Sequence, residues 1–135
     1  MSKIRIARNS GFCFGVKRAI MLSEEAASKY SKVHTLGPII HNPQMVEFLS
    51  SKGVEEIDNL AQVTNNPVVI RSHGIPFDEL QELKNKQVEI IDATCPYVAK
   101  AHDYAKIADK EKYTIVRQMA SIGKASESNC RCRTQ

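Results

Sequence analysis

The chain has no tryptophan, only 6% aromatic residues and no apolar stretch long enough for a membrane span or a secretory leader. Basic residues are not interleaved with aromatic ones, so nothing supplies the charged, stacking platform that single-stranded nucleic acid requires. Neither a membrane nor a nucleic acid is therefore an expected partner. Cysteine is also scarce. The four that exist, Cys13, Cys95, Cys130 and Cys132, are too few and too unevenly placed for a secreted disulfide scaffold. Reduced thiols or metal ligands in a cytoplasmic protein are the expectation. Charge of one sign is not concentrated either: the net +4 is spread along the chain, which suits solvated faces and a mild attraction for a small anion. What remains is an ordinary globular composition, 42% hydrophobic and 25% charged over 135 residues. That length suffices for one domain with a core, or for one domain and part of another.

Apolar periodicity divides the chain into alternating elements. Ile4-Arg5-Ile6-Ala7 alternates as a short strand. After the turn at Gly11 to Gly15, the positions Val16, Ala19, Ile20, Ser23, Ala26 and Ala27 recur at helical spacing. Val33 to Leu36 reads as a strand closed by Gly37-Pro38, followed by a helix through Met45, Val46 and Leu49 that stops near Gly53. Val54 to Ile57 is a short strand. Asn65-Asn66-Pro67 then launches the fully apolar Val68-Val69-Ile70, the mark of a buried parallel strand. A helix from about Pro76 to Lys86, a strand from Val88 to Ile91, a helix from Pro96 and a strand beginning at Tyr113 complete the series. Such alternation predicts an α/β fold with a mostly parallel sheet, and ligands in such folds gather beyond the carboxyl ends of the strands.

The chemically capable residues fall at those ends. Cys13 follows the first expected strand, His41 the second, His73 the Val68 strand and Cys95 the Val88 strand. Four unrelated core residues would have no reason to share an edge. Each cysteine also stands where a strand runs into a helix, facing the unpaired N–H groups and positive dipole end that favour the anionic, metal-binding form. A single cysteine there would read equally well as a small buried hydrophobe. The two histidines open helix-bound loops where backbone N–H groups already favour an anion. Taken alone they would read as loop residues capping local backbone, as would Asn42. His34 carries no local signature, and His102, almost two helical turns beyond Cys95, reads as a helix-flank histidine. Arg71 and Lys17 add positive charge that surface solvation explains equally well. A Cys2His2 zinc site built from Cys13, His41, His73 and Cys95 is chemically acceptable, and so is an iron–sulfur cluster whose remaining ligands lie elsewhere.

Four motifs carry a resemblance to a known family: Gly11-Phe12-Cys13-Phe14-Gly15-Val16 with Arg18-Ala19-Ile20, His41-Asn42 with Val46 and Leu49, Ser72-His73-Gly74-Ile75, and Asp92-Ala93-Thr94-Cys95-Pro96 with Val98, Lys100 and His102. Across about residues 3 to 116 the chain resembles the amino-terminal part of the LytB-type 4-hydroxy-3-methylbut-2-enyl diphosphate reductases, which close the non-mevalonate isoprenoid pathway. The resemblance implies a fragment of a larger multi-lobed α/β iron–sulfur oxidoreductase. Cys13 and Cys95 would be two of three thiolate ligands to a four-iron, four-sulfur cluster, and His41 and His73 would bind the diphosphate of the allylic substrate. A ferredoxin- or flavodoxin-type protein would supply electrons.

The departures are as specific. The family's His-Pro-Glu segment, which brings a further diphosphate-binding histidine and a proton-relaying acid, has no counterpart after Ile122-Gly123, where Glu127-Ser128-Asn129 follows instead. The third cluster cysteine is missing too, and Cys130 stands in unlike sequence. The expectation is a truncated or frame-shifted product. Residues 1–94 would form a first lobe, with the strand at 3–9 belonging beside a carboxyl-terminal lobe. Residues 95–116 would open a second lobe, and 117–135 would be a loose, aberrant tail. Reductase activity from this chain alone is not expected. The rival reading is a non-catalytic zinc-binding α/β module.

Overall fold

The computed structural model describes residues 4–6, 8 and 10–114. Helix α1 spans Phe14–Tyr30, strand β1 Val33–Leu36, helix α2 Pro43–Ser51 and strand β2 Val54–Ile57. A single 3-10 turn at Leu60–Gln62 precedes strand β3, Val68–Ile70. Helix α3, Phe77–Asn85, strand β4, Ile90–Asp92, and helix α4, Pro96–Lys110, follow. The four strands form one parallel sheet in the order β2-β1-β3-β4. Val33 stands opposite Val54, His34 opposite Val68, and Val68 opposite Ile90. The parallel α/β architecture expected from the alternation is present.

Burial explains the choice of residues. β1 and β3, the two central strands, are buried along their whole length, which requires side chains acceptable on both faces. On one face α1 contributes Ala19, Ala26 and Ala27 and α2 contributes Leu49, packed with Val33, Val54 and Val69. Small residues on α1 let its axis approach the sheet closely. On the other face Leu36, Ile57 and Val68 pack with Leu60 of the 3-10 turn and Leu83 of α3. The odd and even positions of β1 thus serve opposite cores, as a period of two demands.

Two expectations are corrected here. Residues 4–6 form no strand, and Ile4 and Ile6 are 91% and 82% exposed. Alternation gave them one apolar face, but the described residues provide no neighbouring strand to receive it. Helix α4 forms as expected, yet none of its side chains is buried. Tyr113 and Thr114 are not in a strand, the Tyr113 N–H donating instead to the Ala108 carbonyl at 2.9 Å, while the rest of the strand expected there, and the tail with Cys130 and Cys132, lie outside the described residues. No described helix is long and apolar enough to cross a membrane.

Candidate functional site

Because all four strands run the same way, the segments after β1, β3 and β4 leave the sheet at one rim. Helix α1 enters β1 after only two residues, Ser31 and Lys32, so it runs antiparallel to the sheet and its first turn lies at that same rim. Cys13 therefore reaches the carboxyl ends of the strands with no strand before it among the described residues.

Cys13 and Cys95 are the N-cap residues of α1 and α4, both in extended backbone conformation and neither using its side chain as a cap. In each, the residue type is chosen for something other than helix initiation, since serine, threonine, aspartate or asparagine would cap better. Cys13 is exposed, Cys95 half-buried, and both are free thiols. The Cys95 sulfur lies against Gly15, the second residue of the helix that Cys13 caps. A Cβ built on Gly15 would fall 2.6 Å from Sγ and 2.8 Å from Cβ of Cys95, closer than real carbon contacts allow.

The histidines meet as well. The rings of His41 and His73 stack with centroids 5.7 Å apart and planes 15° from parallel. His41 is delivered by the loop that Asn42 ends by accepting a hydrogen bond from the Met45 N–H at 2.9 Å, with Pro43 at the first helical position. His73 sits in a turn closed by Gly74 N–H donating to the Arg71 carbonyl at 2.9 Å. Gly74 has φ +79°, and its missing side chain leaves room for the His102 ring, whose Cε1 would stand 3.3 Å from a Cβ there. Arg71 Nε points back at the Gly74 carbonyl at 3.4 Å. Burial, reinforced by the positive charge of Arg71 and by His41, holds His73 down at about 4, so its ring is uncharged at neutral pH. An anion arriving beside it would reverse that balance.

The structure therefore joins the cysteines through α1 and the histidines to each other, at one rim. It adds contacts for two residues that the sequence reading named without a role in the site: His102, an exposed residue of α4 whose Cε1 faces Gly74, and Arg18, which donates to the carbonyls of Thr94 at 3.2 Å and Asp92 at 3.3 Å. His34 belongs elsewhere. It is 2% exposed in the middle of the sheet, with Nε2 3.2 Å from the Glu55 carboxylate. The zinc reading is corrected: among the described residues no three His, Cys, Asp or Glu side chains are grouped so as to hold a metal ion.

A parallel α/β unit with two thiols at helix N-caps and paired imidazoles on one rim is the class this geometry defines. The comparisons narrow it. Residues 4–128 match the family model of the LytB protein, a match that continues past residue 116. The 4-hydroxy-3-methylbut-2-enyl diphosphate reductases of Geotalea daltonii and Geobacter sulfurreducens are 48% and 46% identical to this chain over 114 residues, 84% of it and 40% of each relative. A solved structure of (E)-4-hydroxy-3-methyl-but-2-enyl diphosphate reductase, the terminal enzyme of the non-mevalonate pathway, superposes with a TM-score of 0.69 at 45% identity, covering 84% of this chain and 41% of that one. The E-1-hydroxy-2-methyl-but-2-enyl-4-diphosphate reductase of Plasmodium falciparum gives 0.75 at 33% identity, covering 78% and 34%. The chain belongs to the LytB family, and it spans about 40% of the length of the curated relatives it matches.

Proposed function

We propose that this chain carries the amino-terminal part of the active site of a LytB-type reductase, which removes the hydroxyl of an allylic diphosphate reductively to give isopentenyl and dimethylallyl diphosphates. Cys13 and Cys95 would be two of the thiolate ligands to a four-iron, four-sulfur cluster. The donor chemistry fits: both are free thiols at helix N-caps, and the glycine cradle at Gly15 seats the Cys95 sulfur beside the helix that Cys13 begins. The described residues offer no third thiolate. When bound, such a cluster supplies electrons and a Lewis-acidic iron for the departing hydroxyl.

The chain's own residues do the rest. His41 and His73 take the diphosphate, His73 as a neutral donor whose protonation the arriving anion favours, and Arg71 adds fixed positive charge. Because the substrate's own skeleton sets the distance between its two ends, anchoring the diphosphate at the histidines limits where the carbinol end can reach, and the reading has it lie toward the thiols on the same rim. The observation that carries this reading is the stacked His41–His73 pair standing on the same rim as the two capping cysteines. The family's proton-relaying acid segment has no counterpart in the sequence, so we expect ligand binding without turnover from the 135 residues alone. A ferredoxin- or flavodoxin-type donor and a cytoplasmic location accompany the reading. We also read residues 1–94 as a first lobe, with residues 3–9 belonging beside a carboxyl-terminal lobe, and 95–116 as the start of a second lobe; the tail expected at 117–135 lies outside the described residues. The exposed Ile4 and Ile6 and the unburied α4 support that division.

The test is anaerobic reconstitution with iron and sulfide, followed by calorimetry with the allylic diphosphate. Brown colour, iron and sulfide in equal amounts, and loss of both in Cys13→Ser and Cys95→Ser are expected. Stoichiometric zinc in place of iron, or no heat on adding the diphosphate, would sink the reading.

A further inference from the structure

We propose that Arg18 and Gly15 are positioning residues that set where the Cys95 thiol stands relative to Cys13. Arg18 holds two of the three carbonyls that precede Cys95, those of Asp92 and Thr94, and Gly15 leaves the space the sulfur occupies. The proposal deepens the cluster reading above and rests on it.

The Thr94–Cys95 peptide unit is held at both ends. Its carbonyl oxygen accepts from Arg18 Nη1 at 3.2 Å, and its N–H donates to the Ser72 carbonyl at 2.7 Å. The peptide before the Ala93–Thr94 bond is fixed too, because the Asp92 carbonyl accepts from Arg18 Nη2 at 3.3 Å. The Asp92 carboxylate meanwhile accepts from the Thr94 N–H at 2.8 Å. With these planes pinned, little freedom remains in the dihedrals that aim the Cα–Cβ bond of Cys95. Arg18 lies five residues after Cys13 on the same helix, whose first turn is closed by the Lys17 N–H donating to the Cys13 carbonyl at 3.0 Å. Both thiols are thus referred to one rigid body, α1. The planar guanidinium matters because one group must reach two carbonyls at once, which an ammonium cannot reproduce. Gly15 acts from the other side: any side chain there would have to displace the Cys95 sulfur, since a Cβ would approach it to 2.6 Å.

The experiment uses the full 135-residue chain carrying Cys130→Ser and Cys132→Ser, so that only Cys13 and Cys95 remain reactive. A short bis-maleimide is added under reducing, anaerobic conditions, and the intact mass reports how much of each chain is bridged internally. Single-thiol alkylation with N-ethylmaleimide serves as the reference rate. In this parent chain bridging is expected. Arg18→Met should lower the bridging rate by roughly tenfold or more, the scale on which ångström misplacements act, while single-thiol alkylation and far-ultraviolet circular dichroism stay unchanged. Arg18→Lys, which keeps the charge and one contact, should recover part of the loss, and it reads the same distance if Arg18→Met fails to fold. Gly15→Ala should shift the preferred reagent length. Iron and sulfide uptake and the low-temperature resonance spectrum of the reduced cluster should change in the same order. Bridging that is indifferent to Arg18→Met and Gly15→Ala overturns the positioning role, even where the parent loads iron. A parent that bridges and loses bridging with Arg18→Met, yet takes up no iron or sulfide, overturns the cluster reading and leaves the positioning role standing. A parent that does not bridge overturns both.

Discussion

Strands β1 and β3 and helix α4 were written with similar means and met different fates. Both regions are regular and carry apolar residues at the right period, but every residue of β1 and β3 is buried and none of α4 is. Tyr97, Tyr104 and Ile107 of α4 are 77%, 62% and 51% exposed. The difference lies in topology. A central strand in a parallel sheet has neighbours on both edges and both faces, whereas α4 leaves the end strand β4 and meets no further layer among the described residues. Periodicity reports that a surface is suited to burial, and only the tertiary arrangement decides whether it is covered. The candidate site lies on the seam between these regions: Cys13, His41 and His73 come from the packed side, and Cys95 opens the uncovered one.

The strongest way to break that comparison is a pair of truncations. Leu83→Ala removes a fully buried side chain from the core beneath α3 and should cost about 2–5 kcal/mol of stability. Ile107→Ala on α4 should change stability by less than about 0.5 kcal/mol. Urea unfolding of the 135-residue chain measures both. A comparable loss at Ile107 would show that α4 is covered in solution and would erase the contrast.

Acidity probes the seam itself. His73 is held at about 4 in the fold, against an ordinary 6.5. Above about 6.5 the ring is neutral in both states and the fold loses nothing. Between about 6.5 and 4 the unfolded chain takes up a proton that the folded chain refuses, so stability falls as pH falls. Diphosphate binding carries the opposite sign. The anion favours the imidazolium, so binding draws in a proton, and affinity should strengthen on acidification from neutral pH by up to about tenfold per unit, the limit for one proton. Calorimetry in buffers of different ionisation heat reads the proton directly, and His73→Asn removes the contribution of the ligand's own titration from the comparison. A slope unchanged by His73→Asn would place the responsive group elsewhere.

Much of this was legible in the chain. The bounds of β3 follow from its apolar run and those of β1 and β2 from the apolar residues at their ends, and the rim shared by His41, His73 and Cys95 follows from placing them after strands, whereas Cys13 reaches it through the direction of α1 and not through the strand expected at residues 4–6. β4 was read as Val88 to Ile91 and forms at Ile90–Asp92, because Val88 and Ile90 serve the core beneath α3 while Asp92 still pairs with Ile70. The 3-10 turn at Leu60–Gln62 is too short to show a period, although Asn59 and Gln62 form its reciprocal cap. The contacts that organise the site left no local trace. Arg18 reaches carbonyls 74 and 76 residues away, and the fit of Cys95 over Gly15 or of His102 over Gly74 depends on side chains that are absent. Ile4 and Ile6 show the converse, a clear local pattern with no described strand to pair with.

A smaller effect tests how firmly the packed side holds His41. Asn42 supplies the only side-chain cap of α2 among the described residues, accepting from Met45 N–H at 2.9 Å. Asn42→Ala should cost about 1 kcal/mol, and Asn42→Asp should keep most of it. Unfolding midpoints of the two variants decide the matter, and equal losses would mean that the amide serves some purpose besides capping.

The smallest effect is expected on α4, where it is also the most discriminating. Lys106 Nζ and Asp103 Oδ1 stand 3.2 Å apart one turn from each other, with side chains 67% and 68% exposed. Water screens such a pair, and two long side chains lose rotamer freedom to hold it, so a double-mutant cycle over Lys106→Ala and Asp103→Ala should give a coupling of about 0.2–0.5 kcal/mol. That coupling should fade in 1 M salt, where the screening length drops to about 3 Å. A salt-resistant coupling several times larger would require low-dielectric surroundings. It would mean that this face of α4 is shielded from water in solution, and that the uncovered side of the seam is not uncovered at all.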